Sequence, residues 1–133
     1  MNTPFTAVLY SSIEDYKGVL TTTFPRPIEL QGKWEVAITG IWGVTTIDSC
    51  ALWIMSDAVD YSHLVNNVPM QIIEMIKPGV SGYKVKRYYS PVARNRLESI
   101  NIYLKSKPFD DDCLQASDFR SNDLACALHF RKA

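Results

Sequence analysis

Apolar residues in this chain recur at every second position or in short unbroken runs, and almost never at the three-to-four spacing of a helix. Eight such segments stand out: FTAVLY (5–10), VLTTTF (19–24), KWEVAITGIW (33–42), ALWIMS (51–56), PMQIIEMIK (69–77), YKVKRYYS (83–90), LESINIYLK (97–105) and LACALHFRK (124–132). Turn-forming residues separate them. Many short strands punctuated by turns predict an all-β sandwich or barrel. No internal repeat, linker or low-complexity run interrupts the pattern.

The segments differ in what they imply. VLTTTF is rich in β-branched residues and is expected to stop at Pro25. Arg26 must be extended because Pro27 disfavours the helical region in the residue before it. This stiff, proline-bounded stretch is read as a crossing between sheets, with Gln31-Gly32 turning the chain. In the third segment, period 2 puts Trp34, Val36, Ile38 and Trp42 on one face and Lys33, Glu35 and Thr39 on the other. A slip of one residue would expose the whole apolar set, so this register should be firmly specified. ALWIMS is apolar on both faces and reads as a central strand. Pro69 fits the first residue of a strand, where its missing donor matters least, and Pro78-Gly79 ends that strand. LESINIYLK should point Ile100, Ile102 and Leu104 inward. Eight antiparallel strands in two sheets is the count of a single jelly-roll sandwich. That topology places the first, eighth, third and sixth strands in one sheet and the second, seventh, fourth and fifth in the other. Stretches 43–50, 57–68 and 106–123 would then be loops between the sheets.

Composition narrows the picture further. A length of 133 residues fits one domain, 1–133, and 47% apolar residues suffice for a core. Fourteen basic side chains balance 14 acidic ones, so no net field steers the chain onto DNA or anionic lipid. The three cysteines, Cys50, Cys113 and Cys126, include no CxxC pair, which argues against a disulfide framework or a zinc knuckle. They read as small buried or half-buried thiols. The N-terminus, MNTPFTAVLY, lacks the basic start and long apolar block of a signal peptide. The one stretch of membrane-span length, 36–56, carries Asp48 near its centre, at a cost of about 3 kcal/mol in lipid. It reads better as a buried hairpin of two strands around a turn.

Catalytic chemistry finds few candidates. His63 and His129 have no ligand partner at metal spacing, and no GxSxG, P-loop or GxGxxG motif occurs. The run Asp110-Asp111-Asp112 lacks the spacing and distal glutamate of a calcium loop and reads as a solvated acidic turn. No catalytic, cofactor-binding or metal residue is therefore assigned, and no cofactor is expected. KVKRYY (84–89) mixes cations with aromatics, as single-strand binders do. As a strand it would put Lys84, Lys86 and Tyr88 on one face and Val85, Arg87 and Tyr89 on the other, and lysine also guards edges against unwanted pairing. Seven tyrosines and three tryptophans are many for so small a domain. Both residue types are favoured at protein interfaces, although filling the core is the alternative use.

FTAVLYSS followed by FPRPIELQGKWEVAITGI resembles a group of small proteins of Polinton/Maverick elements, adintoviruses and related double-stranded DNA viruses. The matching residues are Pro25, Pro27, Ile28, Leu30, Gly32, Trp34, Glu35, Val36 and Ile41. LWIMSDAVDYSHLVNNVPMQII, YYSPV, LESINIYLK and ALHFRK resemble later motifs of that family in the same order, so the likeness spans nearly the whole chain. Where members carry a longer insertion after the third strand, this chain has only GVTTIDSC, and 106–123 has no counterpart. A spike or receptor contact carried by that insertion is therefore not implied here.

The resemblance implies a single jelly-roll minor capsid protein of the penton type. It would form homopentamers at icosahedral vertices, beside a double jelly-roll major capsid protein, and reside in the virion after synthesis in the host cell. A vertex spike or host receptor would be an optional further partner; membrane is not expected as a partner and nucleic acid is disfavoured. The alternative from another class is a receptor-binding head of a vertex spike, a trimeric jelly roll. A polyanion-binding module using KVKRYY is a third. Five copies or three would separate the first two, and salt-dependent retention on heparin would mark the third.

Overall fold

A computed structural model describes residues 3–44, 51–77, 79, 82–84 and 86–133. The described chain is all-β, and its single helical segment is a three-residue 3-10 turn, Ala116–Asp118. The strands are β1 (Phe5–Ser12), β2 (Leu20–Glu29), β3 (Trp34–Trp42), β4 (Leu52–Ser56), β5 (His63–Val65), β6 (Val68–Met70), β7 (Ile72–Ile76), β8 (Gly82–Tyr83), β9 (Ser90–Pro91), β10 (Arg96–Lys105) and β11 (Asp123–Lys132).

All pairings are antiparallel. The first sheet runs β1-β11-β3-β8, with β9 also on β3; the second runs β2-β10-β4-β7; β5 and β6 form a separate hairpin. The two sheets face each other as a sandwich, with β1 across from β2 and β3 across from β7. Side chains from both share one apolar cluster, in which Leu9, Val36, Ile38, Leu128 and Phe130 of the first sheet meet Leu20, Ile54, Ile100, Ile102 and Leu104 of the second. Main-chain neighbours are therefore those expected from the eight-segment pattern, and Ile100, Ile102 and Leu104 all point inward.

Several boundaries depart from the pattern, each for a physical reason. The second strand does not stop at Pro25 but continues to Glu29. It is the edge of its sheet, where a missing N–H donor is tolerated. Pairing with β10 jumps from Leu97↔Ile28 to Ser99↔Thr23, so the proline stretch bulges out of the ladder. The crossing between sheets falls just after it, at 30–33, with Gly32 in the left-handed region.

In β3, pairing with β11 shifts between Ala127↔Gly40 and Leu128↔Ile38, which leaves Thr39 as a bulge. The extra residue inverts the alternation. Trp34, Val36 and Ile38 enter the core as expected, but Ile41 follows them and Trp42 turns to the outer face. The stretch 36–56 is not a hairpin: β3 and β4 lie in different sheets. Among the described residues no helix is long and apolar enough to cross a membrane.

The fifth segment divides into β6, where Pro69 pairs with Leu64, and β7, which begins at Ile72. The sixth survives only as the two-residue strands β8 and β9 on the free side of β3. Cys126 is buried and Cys113 half-buried, both as free thiols, while Cys50 and most of the 43–50 loop lie outside the described residues.

Candidate functional site

The outer face of the first sheet has small residues at its centre and large ones at its margins. Val8 and Tyr10 of β1 are 58% and 62% exposed. They pair with Ala127 and Ala125 of β11, which pair in turn with Gly40 and Trp42 of β3. The result is a shallow trough of about 460 Å³, walled by Val8 on one side and by Trp42 and Tyr83 on the other. Trp42 meets Tyr83 edge-on, with ring centroids 5.3 Å apart. Gly40 makes room for that ring, since a Cβ there would lie 2.3 Å from it.

Beyond the trough, the Arg131 guanidinium stacks 3.5 Å from the Tyr89 ring centroid and its Nε donates to Glu35 at 2.7 Å. The Tyr89 hydroxyl is 2.8 Å from His129 Nδ1. Burial, then the Arg87 and Arg131 charges, hold His129 below its ordinary 6.5, so the imidazole is neutral at pH 7.

A second surface lies on the outer face of the other sheet, toward β7. The β5–β6 hairpin turns through Asn66 and Asn67, with φ of 50° and 65°, values that asparagine tolerates. Together with Trp53 and Met75 it encloses a groove of about 650 Å³. Leu64 is 64% and Met75 54% exposed at its rim. Among the described residues no strand pairs with the outer edge of β7.

The lining of this groove includes an ion pair between a buried acid and a half-buried base. Glu74 lies opposite Ile54, a core residue, and so faces inward. Lys84 Nζ donates to Glu74 Oε2 across the gap between the sheets. Glu74 Oε1 is buried without a hydrogen-bond partner. Desolvation raises the Glu74 carboxyl above its ordinary value, and Lys84 offsets this only in part. Burial, helped by the Glu74 charge, pushes the Cys126 thiol up to about 12, so it stays protonated and unreactive at neutral pH.

The structure does not bring the two histidines together: His63 lines the groove and His129 the trough on the other sheet. The 110–112 acids are exposed, and Lys105 Nζ donates to the Asp110 carbonyl at 2.8 Å. Among the described residues no group of three or more His, Cys, Asp or Glu side chains could hold a metal ion.

Among the described residues of KVKRYY, 84 and 86–89, none is in a strand, and the expected alternation fails; Val85 lies outside the described residues. Lys84 turns inward to Glu74, while Tyr89 lies against Arg131. Sequence reasoning missed the ion pair. The available signal was Glu74 itself, the single acid in the apolar run MQIIEMI. The aromatics divide between roles: Tyr10, Tyr61, Tyr83 and Tyr88 are exposed, whereas Tyr16 and Trp34 are buried. No protein-family model, curated protein or solved structure matches this chain.

Proposed function

We propose that this is a structural virion protein, a penton-type minor capsid protein with a single jelly-roll fold that forms homopentamers at icosahedral vertices. The observation that carries the reading is the pair of apolar surfaces on opposite outer faces, Val8 and Tyr10 on one and Leu64 and Met75 on the other. A closed ring of identical subunits needs two different surfaces per copy, one for each neighbour. The sheet orders support the fold half of the reading, because they pair the strand segments as a jelly roll does.

On this reading the protein works by packing, without catalysis or a cofactor. Its partners are its own copies and a surrounding double jelly-roll major capsid protein, with a vertex spike or host receptor as a further contact. It is made in the host cell and resides in the virion. The polyanion reading loses support at Lys84, one of the three cations of KVKRYY, which is engaged by Glu74.

Light scattering over a concentration series tests the proposal in solution. Each contact, at the low end of stable interfaces near 1,200 Å², predicts monomers when dilute and pentamers when concentrated. In the shell, ring closure raises the effective concentration, and a map of the particle should place the chain at the five-fold vertices. A tight trimer, or a position away from every vertex, would favour the attachment-head alternative.

A further inference from the structure

One cation of KVKRYY faces the trough between Val8 and Trp42. Lys84 is paired with Glu74, and Arg131, which stacks on Tyr89, is paired with Glu35. Arg87 is exposed and makes no ion pair or hydrogen bond with any described residue. It lines the trough together with Thr6, His129, Trp42 and Tyr83.

The polar groups of this lining share one character. Thr6 pairs with His129 across β1 and β11, which sets their side chains side by side on the outer face. The Thr39 hydroxyl is occupied, since it donates to the Ala127 carbonyl at 3.4 Å. His129 Nδ1 is occupied by the Tyr89 hydroxyl. When that hydroxyl donates, the neutral ring carries its proton on Nε2, which is then a donor. The groups left for a ligand are the Arg87 guanidinium, the Thr6 hydroxyl and His129 Nε2, and no carboxylate lines the trough. The Arg87 and Arg131 charges both reach His129. Beside these donors stands an aromatic wall, in which Trp42 meets Tyr83 edge-on and Tyr83 is 84% exposed.

We propose that the trough is a binding site for a small ring that carries one carboxylate, with the carboxylate against Arg87 and the ring against Tyr83 and Trp42. Three features select this chemistry. A lining of donors without an acid favours an anion over a cation. The guanidinium fork matches a planar carboxylate through two parallel hydrogen bonds. The aromatic wall favours a ligand with an apolar face beside its charge. Sugar acids and aryl acids share that chemistry. The site needs only one subunit, so it stands or falls apart from the vertex reading.

Imidazole NMR provides the test, because His129 lines the trough and His63 the groove on the other sheet. Methyl β-glucuronide and benzoate are titrated into dilute protein, each beside its neutral counterpart, methyl β-glucoside or benzamide. The carboxylates should shift the His129 resonances saturably and leave those of His63 in place. The neutral counterparts should bind more weakly by about tenfold or more, the scale of hydrogen bonds to a charged group. An anion beside the ring favours imidazolium, so bound carboxylate should raise the His129 pKa, and binding should tighten as pH falls through it. Arg87→Gln, at an exposed position, should weaken both carboxylates by about tenfold or more with unchanged circular dichroism. Tyr83→Ala should weaken them as well, while leaving the binding of acetate, which has no ring, as it was.

Binding of the glucuronide alone identifies a sugar acid and binding of benzoate alone an aryl acid, and either supports the site. Failure of both carboxylates to shift His129, equal binding of the neutral counterparts, or binding that survives Arg87→Gln unchanged overturns it and leaves the vertex reading standing.

Discussion

Trp34 shows how one residue ties the two ends of the chain to the core. It is 4% exposed, its indole N–H donates to the Gln31 carbonyl at 2.9 Å, and its ring lies 6.1 Å from Phe5, which stacks on Phe130. Trp34→Ala should cost about 3–5 kcal/mol in denaturant melts, as large aromatic truncations in cores do. A loss below roughly 1 kcal/mol, the size of ordinary surface changes, would show that its neighbours collapse into the space.

Gly43 and Gly32 form a second, paired test. Both are left-handed, at φ of 80° and 81°. A Cβ at Gly43 would lie 1.8 Å from the Asp123 carbonyl oxygen, whereas one at Gly32 meets nothing within 4 Å. Gly32→Ala should therefore cost only the backbone strain, about 1–2 kcal/mol. Gly43→Ala must also displace β11 and should cost clearly more in the same thermal melts. Equal losses at the two sites would mean that the β3–β11 contact yields freely.

At the scale of the element, β7 is where charge and packing conflict. A carboxylate facing the core is stabilising only if its partner compensates for desolvation, and Glu74 keeps one oxygen unpartnered. Its carboxyl titrates above the ordinary 4.5, so the folded protein holds this proton at pH values where the unfolded chain has lost it. Stability from this group is therefore greatest below that pH and falls as pH rises through the raised value. Lys84→Met removes the compensating charge. It should cost about 3–5 kcal/mol at pH 8, the range for breaking a buried pair, and markedly less at pH 4, below even the ordinary 4.5, where protonation neutralises Glu74. Denaturant midpoints at the two pH values check this, and a penalty independent of pH would mean that Glu74 is not the group responsible.

At the scale of the whole molecule, two sheets leave two outer faces, and exposed apolar residues lie on both, Val8 and Tyr10 on one and Leu64 and Met75 on the other. Pentamer formation on concentration is the expected consequence. Light scattering over a concentration series checks it, and a chain that stays monomeric at every concentration would remove the expectation.

Much of this was legible along the chain because it depends on local rules. Period-2 alternation does not require knowing what a strand packs against, so the strand segments, the buried Trp34 and the inward set Ile100, Ile102 and Leu104 could all be read directly. What local rules could not decide was anything set by a neighbouring strand. The bulge at Thr39 sends Trp42 outward and Ile41 inward, and it exists only as a mismatch with β11. Prolines that look like a strand's end continue β2 because β2 is an edge, a fact about sheet order. Lys84, regular in a row of alternating cations, turns inward because Glu74 arrives from the other sheet, ten residues back in sequence but across the sandwich in space. The amino-acid sequence by itself determined which segments become strands; tertiary structure decided which faces of them remain exposed, because exposure depends on what lies opposite.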